Sequence, residues 1–598
     1  MLAPTFLLSG LLASFASASV LPVARSPSGF EAFANEGGLI GRGISGEKHG
    51  GVATEAAPCS EIGIGILEAG GNAADAIIAS GLCVGVISAY HSGIGGGGFM
   101  LVRFNTEEGH DYEMIDFRET MPAAGNETMY LNATSKTAST IGGLAVGVPG
   151  ELRGWEQLYL RHGSMNWTDL FTGAIKLARE GFTVNVDLAA GIQQGASFIK
   201  ADPLWAEIYT HPNGSLLVEG DTCYRKRYAD TLEKISWYGA NFFYEGETAI
   251  NTAAAIYARG GIMTTKDIAN YTAMIREPVN ITYRGSRIFS TVAPSSGAVV
   301  LSALKIFEGY QANYTDSDPE INVTTHRLVE ATKFGYGQRA TYGDPAFNAN
   351  VTELQKYYLT TPVVEEIRSK IVDNQTFNSL YYDPENYSIL NDSGTSHMAV
   401  IDSTGMAVSL TTTVNTYWGS TVMTTDGIVL NNEMDDFSSP GQTNSFGFAA
   451  SPANYIVGGK RPQSSISSSI AEDLSTGEIL IATGSAGGSR SALHFFCLHL
   501  RTFNLTTSKL QSSPPHFNSS TTTLTKASQP MNVLTTRGGT ISSPAPLTSS
   551  GKTRVLASPA IPTRQWPTWH RLVVIQSPNG TISAANDPRK AAGAGLAY

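Results

Sequence analysis

Residues 392–415 read DSGTSHMAVIDSTGMAVSLTTTVN, two strand-like runs joined at Ser403-Thr404-Gly405. A three-residue loop with its glycine in the left-handed conformation is a common hairpin connection, since glycine reaches positive φ without a Cβ clash. That loop pairs Asp402 with Met406, and the register carries on to set Thr395 opposite Thr413. Two hydroxyls then stand side by side at the open end of the hairpin, with Asn415 just beyond. By pattern alone the same text is also an ordinary Thr-rich strand pair.

Outward from this hairpin, further strands are expected at Phe99–Phe104, Ile288–Thr291 and Glu478–Ala482, beside His397–Ile401 and Ala407–Thr413 of the hairpin itself. Helical patterns fall at Thr168–Glu180, Asn251–Ala258, His326–Thr341 and Pro362–Lys370. Strands and helices in comparable number point to a layered α/β or α+β core. The 598 residues carry 42% hydrophobic and 15% charged side chains, a globular composition with ample apolar surface for a large core. Forty Lys and Arg against 51 Asp and Glu give a net charge of −11, which argues against nucleic acid as a partner. Four cysteines exclude a disulfide-built scaffold.

Two of those cysteines frame a helix pair. Ser60 is expected to cap a helix over Glu61–Ala69 that Gly70-Gly71 ends, and Asn72 to cap a second over Ala73–Gly85. Two antiparallel helices of roughly 15 Å return the chain to its starting end. Cys59 and Cys83 meet there, either as a disulfide or as two buried thiols. Cys223 and Cys497 have no evident partner.

The usual catalytic motifs are missing: no G-x-S-x-G, no G-x-x-x-x-G-K-[ST], no H-E-x-x-H and no C-x-x-C. The run Gly93–Gly98 precedes a strand, so it is not a dinucleotide fingerprint. The 11 histidines show no ligand spacing. What the chain does carry is Gly394-Thr395-Ser396-His397 with Thr413-x-Asn415, which resembles the processing site of γ-glutamyltransferases, members of the N-terminal-nucleophile hydrolases. Other blocks resemble the family in order: CSEIG at 59–63, GGNAAD at 70–75, the Gly93–Met100 run, DFRE at 116–119, GVPG at 147–150, NNEMDDFS at 431–438, GKRPxSS at 459–465 and GSAGG at 484–488. The likeness spans about Gly50 to Arg490 and the last 25 or so residues.

The resemblance implies an α+β fold, a four-layer αββα sandwich forming one domain from two self-cleaved subunits. It implies cleavage of Gly394–Thr395, giving a large subunit of residues 19–394 and a small one of 395–598 that remain a heterodimer. A free N-terminal threonine carries nucleophile and base together: its hydroxyl attacks, and its α-amine, of pKa about 7.7–8.0, takes the proton. Thr413 would orient the Thr395 hydroxyl, and the backbone N–H groups of Gly487 and Gly488 would form the oxyanion hole. A γ-glutamyl group ends in a free amino acid. Arg118 would grip its carboxylate with the hydroxyls of Ser464 and Ser465, while Asn415, Glu433 and Asp436 hold its ammonium. Glutathione and related γ-glutamyl compounds are the implied donors, and water, amino acids or dipeptides the acceptors. No metal or organic cofactor is implied. An amide acylase of the same superfamily would share Thr395 and Thr413 without needing Arg118, Glu433 and Asp436.

Two stretches fall outside this frame. Thr5–Ala18 is apolar and ends in Ala16-Ser17-Ala18, which predicts a signal peptide over 1–18. The alternative is a retained signal anchor, although serines interrupt the run and a spanning helix needs about 20 apolar residues. Fifteen Asn-x-Ser/Thr sites agree with a secreted or cell-surface glycoprotein. Between Glu478 and Asp587 lie 108 residues without an acidic side chain, and Arg501–Ala560 holds 23 Ser or Thr and six Pro. The segment 491–570 reads either as a mucin-like insert or as text displaced by a mispredicted exon or frame shift. Taken literally, it predicts a sandwich short of cover and an inactive secreted glycoprotein. Leu572–Tyr598 reads as ordinary folded protein again, with an apolar strand and an Asn-Gly turn.

Overall fold

The computed structural model describes residues 49–131, 133, 135, 137–310, 318–383, 394–441, 450–488, 570–576, 582–586 and 592–598. The expectations for 1–18 and for 491–570, apart from His570, lie outside these residues, as does Cys497. The described chain enters through β1 (Gly51–Thr54), passes the helices α1 (Ala57–Glu68) and α2 (Ala73–Ile87), and forms the hairpin of β2 (Gly97–Thr106) and β3 (Gly109–Asp116). After α3 (Glu151–His162) a helical region holds the two-residue pair β4 (Phe182–Thr183) and β5 (Thr222–Cys223). β6 (Met274–Arg276), β7 (Val279–Tyr283) and β8 (Ser286–Ser290) precede a second helical region. Then come β9 (Ser396–Ile401), β10 (Ala407–Thr413), β11 (Ser469–Asp473), β12 (Ile479–Ala486), β13 (His570–Gln576), β14 (Ile582–Asn586) and β15 (Ala594–Ala597).

Apart from the β4–β5 pair, these strands make two antiparallel sheets, ordered β15-β1-β9-β10-β2-β3-β6 and β14-β13-β12-β11-β8-β7. Side-chain alternation builds the layers. From β9, Met398 and Val400 join a core with Ile77 of α2 and Trp155 of α3, while Ala399 and Ile401 face Ala482 and Val574 of the other sheet. The second sheet's outer face, with Ile281 and Ile288, packs on Val300 and Leu304 of the helix Gly297–Glu308 and Leu328 of the helix Asp318–Arg339. The order is helix, sheet, sheet, helix, as the resemblance implied. Both sheets join strands from before and after Gly394: the first interleaves them, with β9 and β10 between β1 and β2, and the second sets the block β11–β14 beside β8 and β7.

The hairpin register is the expected one, with Ala407 opposite Ile401 and Thr412 opposite Ser396. Gly405 adopts φ +81° at the turn. The ladder ends at Ser396, one residue before Thr395. The other strand and helix expectations hold to within a few residues, the apolar strand after Leu572 (β13) included, except that the helix expected from His326 starts at Asp318; the Asn579-Gly580 turn lies outside the described residues. The first helix also differs. It begins at Ala57, not at Glu61, and Ser60 is not its cap. Pro58 lies in its first turn, where a missing N–H has no intrahelical partner to lose. The Ser60 hydroxyl instead donates to the Ala594 carbonyl at 2.7 Å and lies 2.8 Å from the Thr54 hydroxyl, tying the helix to β1 and β15. Asn72 does cap α2, reciprocally with Asp75. Cys59 and Cys83 form a disulfide across the two helices, with Cα atoms 5.3 Å apart.

Candidate active site

Gly394 sits at φ +119°, and a Cβ there would lie 2.5 Å from the Asn415 carbonyl oxygen, so only glycine fits before Thr395. Its own carbonyl oxygen is the focus of the site. The Thr395 hydroxyl donates to it at 2.6 Å and the Thr413 hydroxyl at 2.8 Å. Thr413 Oγ1 in turn accepts the Asn415 N–H at 2.7 Å, which fixes its free proton toward the carbonyl. A carbonyl polarised by one hydroxyl and flanked by a second can undergo attack by the second.

The Asn415 amide donates to the Asn432 carbonyl at 3.0 Å, linking this hairpin to the segment that follows Leu430. Asn431 anchors that segment, donating to the carbonyls of Gly95 and Gly147 and accepting the Glu433 N–H at 3.0 Å. Glu433–Asp436 is a single 3₁₀ turn. With three residues per turn, positions i and i+3 eclipse, so Glu433 and Asp436 point the same way. Both reach Arg118, which lies just past β3: Nη1 is 2.6 Å from Glu433 Oε2, and Nη2 donates to Asp436. Glu119 completes the ring at 3.8 Å. Arg118 also donates to the carbonyls of Pro462 and Gln463, which brings Ser464 and Ser465 alongside. Ser464 is buried; its hydroxyl accepts the Ile466 N–H at 3.2 Å, and its carbonyl accepts from the Ser296 hydroxyl.

Gly487 and Gly488 follow β12 with φ of +119° and +66°. β12 packs face-on against the hairpin, with the Thr483 carbonyl accepting the Ser409 hydroxyl at 2.8 Å and Gly484 against the His397 ring. From Thr483 to Gly484 the strand moves from the level of Ala399 to that of His397, so it delivers Gly487-Gly488 toward the start of β9. His397 itself is buried and lies 2.8 Å from the Thr411 hydroxyl. Burial pushes its pKa down to about 3, leaving it neutral.

The electrostatics follow from three buried carboxylates around one guanidinium. Burial raises Glu433 well above the ordinary carboxylate range and Asp436 in the same direction, and lifts Glu119 to about 8, each against the pull of Arg118. Burial alone would lower Arg118, but Glu433, Asp436 and Glu119 hold it above its usual value. Arg118 and its three acids are thus an internally paired cluster of one cation and more acid than it can neutralise. No group of three or more His, Cys, Asp or Glu among the described residues could hold a metal ion.

The sequence did not point to the polar groups behind the hairpin. Glu151, the first residue of α3, is fully buried and accepts the Thr412 hydroxyl; burial pushes its pKa up to about 8. Between 4.5 and about 8 the folded chain holds a proton there that the unfolded chain has released, so stability falls as pH rises through that window. Glu151→Gln should flatten the fall, narrowing the pH 5 to pH 8 loss by on the order of a few kcal/mol. Thermal melts of both proteins across that range check it.

A model of the gamma-glutamyltranspeptidase family matches residues 59–596. Over 471 residues the chain is 45% identical to the glutathione hydrolase proenzyme of Arthroderma benhamiae, covering 76% of this chain and 79% of that one. It is 34% identical over 455 residues to the glutathione hydrolase proenzyme of Escherichia coli, covering 74% and 76%. Among solved structures it is similar to a gamma-glutamyltranspeptidase of Helicobacter pylori, at TM-score 0.51 and 28% identity, over 57% of this chain and 96% of that one. A cephalosporin acylase of Bacillus halodurans shares the fold, at TM-score 0.71 and 21% identity, over 94% and 98%.

Proposed function

The chain belongs to the gamma-glutamyltranspeptidase family, and from that premise we propose that it is a glutathione hydrolase and γ-glutamyltransferase with Thr395 as nucleophile. The observation that carries the reading is the Gly394 carbonyl, which accepts from the Thr395 and Thr413 hydroxyls together. Thr395 Oγ1 attacks the Gly394 carbonyl carbon, the C–N bond breaks, and the departing amine takes the hydroxyl proton. Water then hydrolyses the ester, leaving Gly394 as a carboxylate and Thr395 with a free amine. With the signal peptide over 1–18 removed, the chain becomes a large subunit, 19–394, and a small one, 395–598.

In the mature enzyme that amine serves as base while Thr395 attacks the γ-amide carbonyl of glutathione. The N–H groups of Gly487 and Gly488 receive the oxyanion, and the leaving amine takes the proton. The γ-glutamyl ester passes to water, or to the amine of an amino acid or dipeptide. Substrate entry exchanges partners: its carboxylate takes Arg118 with Ser464 and Ser465, and its ammonium takes the freed Glu433 and Asp436 with Asn415. This buried ring supports a γ-glutamyl donor over the other amides that acylases of this fold accept. The sequence features that support a secreted or cell-surface location are the apolar N-terminal run and the 15 glycosylation sites.

Purified wild-type protein should show two chains on a denaturing gel, the smaller beginning Thr-Ser-His, and should release aniline from a γ-glutamyl anilide. Wild-type protein that stays whole yet cleaves the anilide would overturn the mechanism.

A further inference from the structure

Thr395 stands one residue outside the ladder, so its placement depends on how Ser396 is held. Ser396 is fully buried and faces the helical layer, where two polar side chains meet it. Its hydroxyl donates to Glu55 Oε1 at 2.6 Å and lies 3.0 Å from His91 Nδ1. His91 Nε2 closes the triangle at 3.4 Å from Glu55 Oε2. A hydroxyl has one proton. Given to the carboxylate at the shorter distance, it leaves Ser396 Oγ as acceptor toward the imidazole, so His91 presents an N–H from Nδ1, and its Nε2 approach to Glu55 is an ion pair when the ring is protonated.

Glu55 reaches Ser396 because β1 runs antiparallel beside β9, with Ala53 opposite Ala399, which brings the residue after β1 to the start of β9. His91 reaches it from the turn after α2, and that turn also holds the other strand of the hairpin. The His91 carbonyl accepts the Val414 N–H at 3.1 Å, the Ser92 hydroxyl donates to Thr412 at 3.3 Å, and the Tyr90 carbonyl accepts the Trp418 N–H at 2.6 Å. One turn therefore grips the residue after Thr395 and the residues on both sides of Thr413.

We propose that His91, with Glu55, is a positioning group that sets Thr395 against Thr413 through the Ser396 hydroxyl, for self-cleavage and then for turnover. The inference rests on the function proposed above. His91 touches no substrate in this role; it fixes where the nucleophile and its new amine stand. A misplacement of about 1 Å at a reacting group can cost roughly a hundredfold in rate.

The test compares wild type with Ser396→Ala, His91→Ala and His91→Asn, whose amide N–H takes the place of Nδ1–H. Each is assayed for precursor cleavage half-life, for kcat and KM on a γ-glutamyl anilide after cleavage is complete, and for Tm. Ser396→Ala and His91→Ala should slow cleavage and lower kcat by roughly ten- to a hundredfold, with KM within about twofold. His91→Asn should recover most of the loss. Variants with wild-type cleavage and kcat overturn the inference. So does a loss that follows Tm, with His91→Asn no better than His91→Ala, since that marks a packing role only. A wild-type chain that neither cuts nor turns over overturns the underlying function and this inference with it, whereas wild-type activity beside unaffected variants overturns this inference alone.

Discussion

A Thr395→Ala protein should run as one uncut chain and turn over γ-glutamyl substrates more slowly by roughly a thousandfold or more, the scale on which loss of a catalytic nucleophile reads out. The Gly394 carbonyl would still accept from Thr413 at 2.8 Å, but no attacking oxygen would remain beside it. Both functions fail together, because without the cut no free amine exists at position 395. Thr413→Ala is the informative comparison: it keeps the nucleophile and removes one preorganised donor, so cleavage should slow by roughly a hundred- to a thousandfold rather than stop. Gel analysis over hours and days separates the two. A Thr395→Ala chain that still parts at the same bond would remove Thr395 from the chemistry.

Arg118→Lys keeps a positive charge in the cluster yet should lower kcat/KM for glutathione by roughly 2–4 kcal/mol, about thirty- to a thousandfold. Arg118 spans Glu433 on one nitrogen and Asp436 on another, and two carbonyls besides. An ammonium on a flexible stem cannot hold that many partners in a plane. A carboxylate arriving from the substrate would meet one donor in place of a fork, and the acids that should receive its ammonium would be less well placed. Self-cleavage should survive, since it uses no substrate carboxylate. Steady-state kinetics with glutathione check this; unchanged constants would place Arg118 outside the substrate site.

How far the sequence carried the fold and the site depends on distance along the chain. The β9–β10 register was readable because a three-residue loop fixes it, and α2 because Asn72 and Asp75 cap it within one turn. Ser60 misled because its partner is Ala594, whose approach no local pattern announces. The candidate substrate-site residues were named only through the likeness to known enzymes: Arg118 and Asp436 are 318 positions apart, and nothing in either neighbourhood implies the other. That Glu433 and Asp436 would share a face was implicit in their spacing, had the 3₁₀ turn been foreseen. Glu55 and His91 left no signal, and Ser396 stood out only as a member of the Gly394–His397 motif with no partner named, since a lone buried Glu or His reads as scatter until the sheet order brings three segments together.

The interleaved strand order gives the proposed cut a direction in time. Before it, unfolding and refolding are events within one molecule. After it, β9 and β10 still lie between β1 and β2 and β11 still pairs with β8, so the pieces stay woven in one sheet and joined across the other although no peptide bond links them. Parting them requires ladder hydrogen bonds in both sheets to open at once, and re-forming them is a second-order encounter of two chains, each lacking strands that complete its own sheets. The mature protein would therefore persist through the slowness of its unfolding, with a memory of having been a single chain that it cannot regain once denatured.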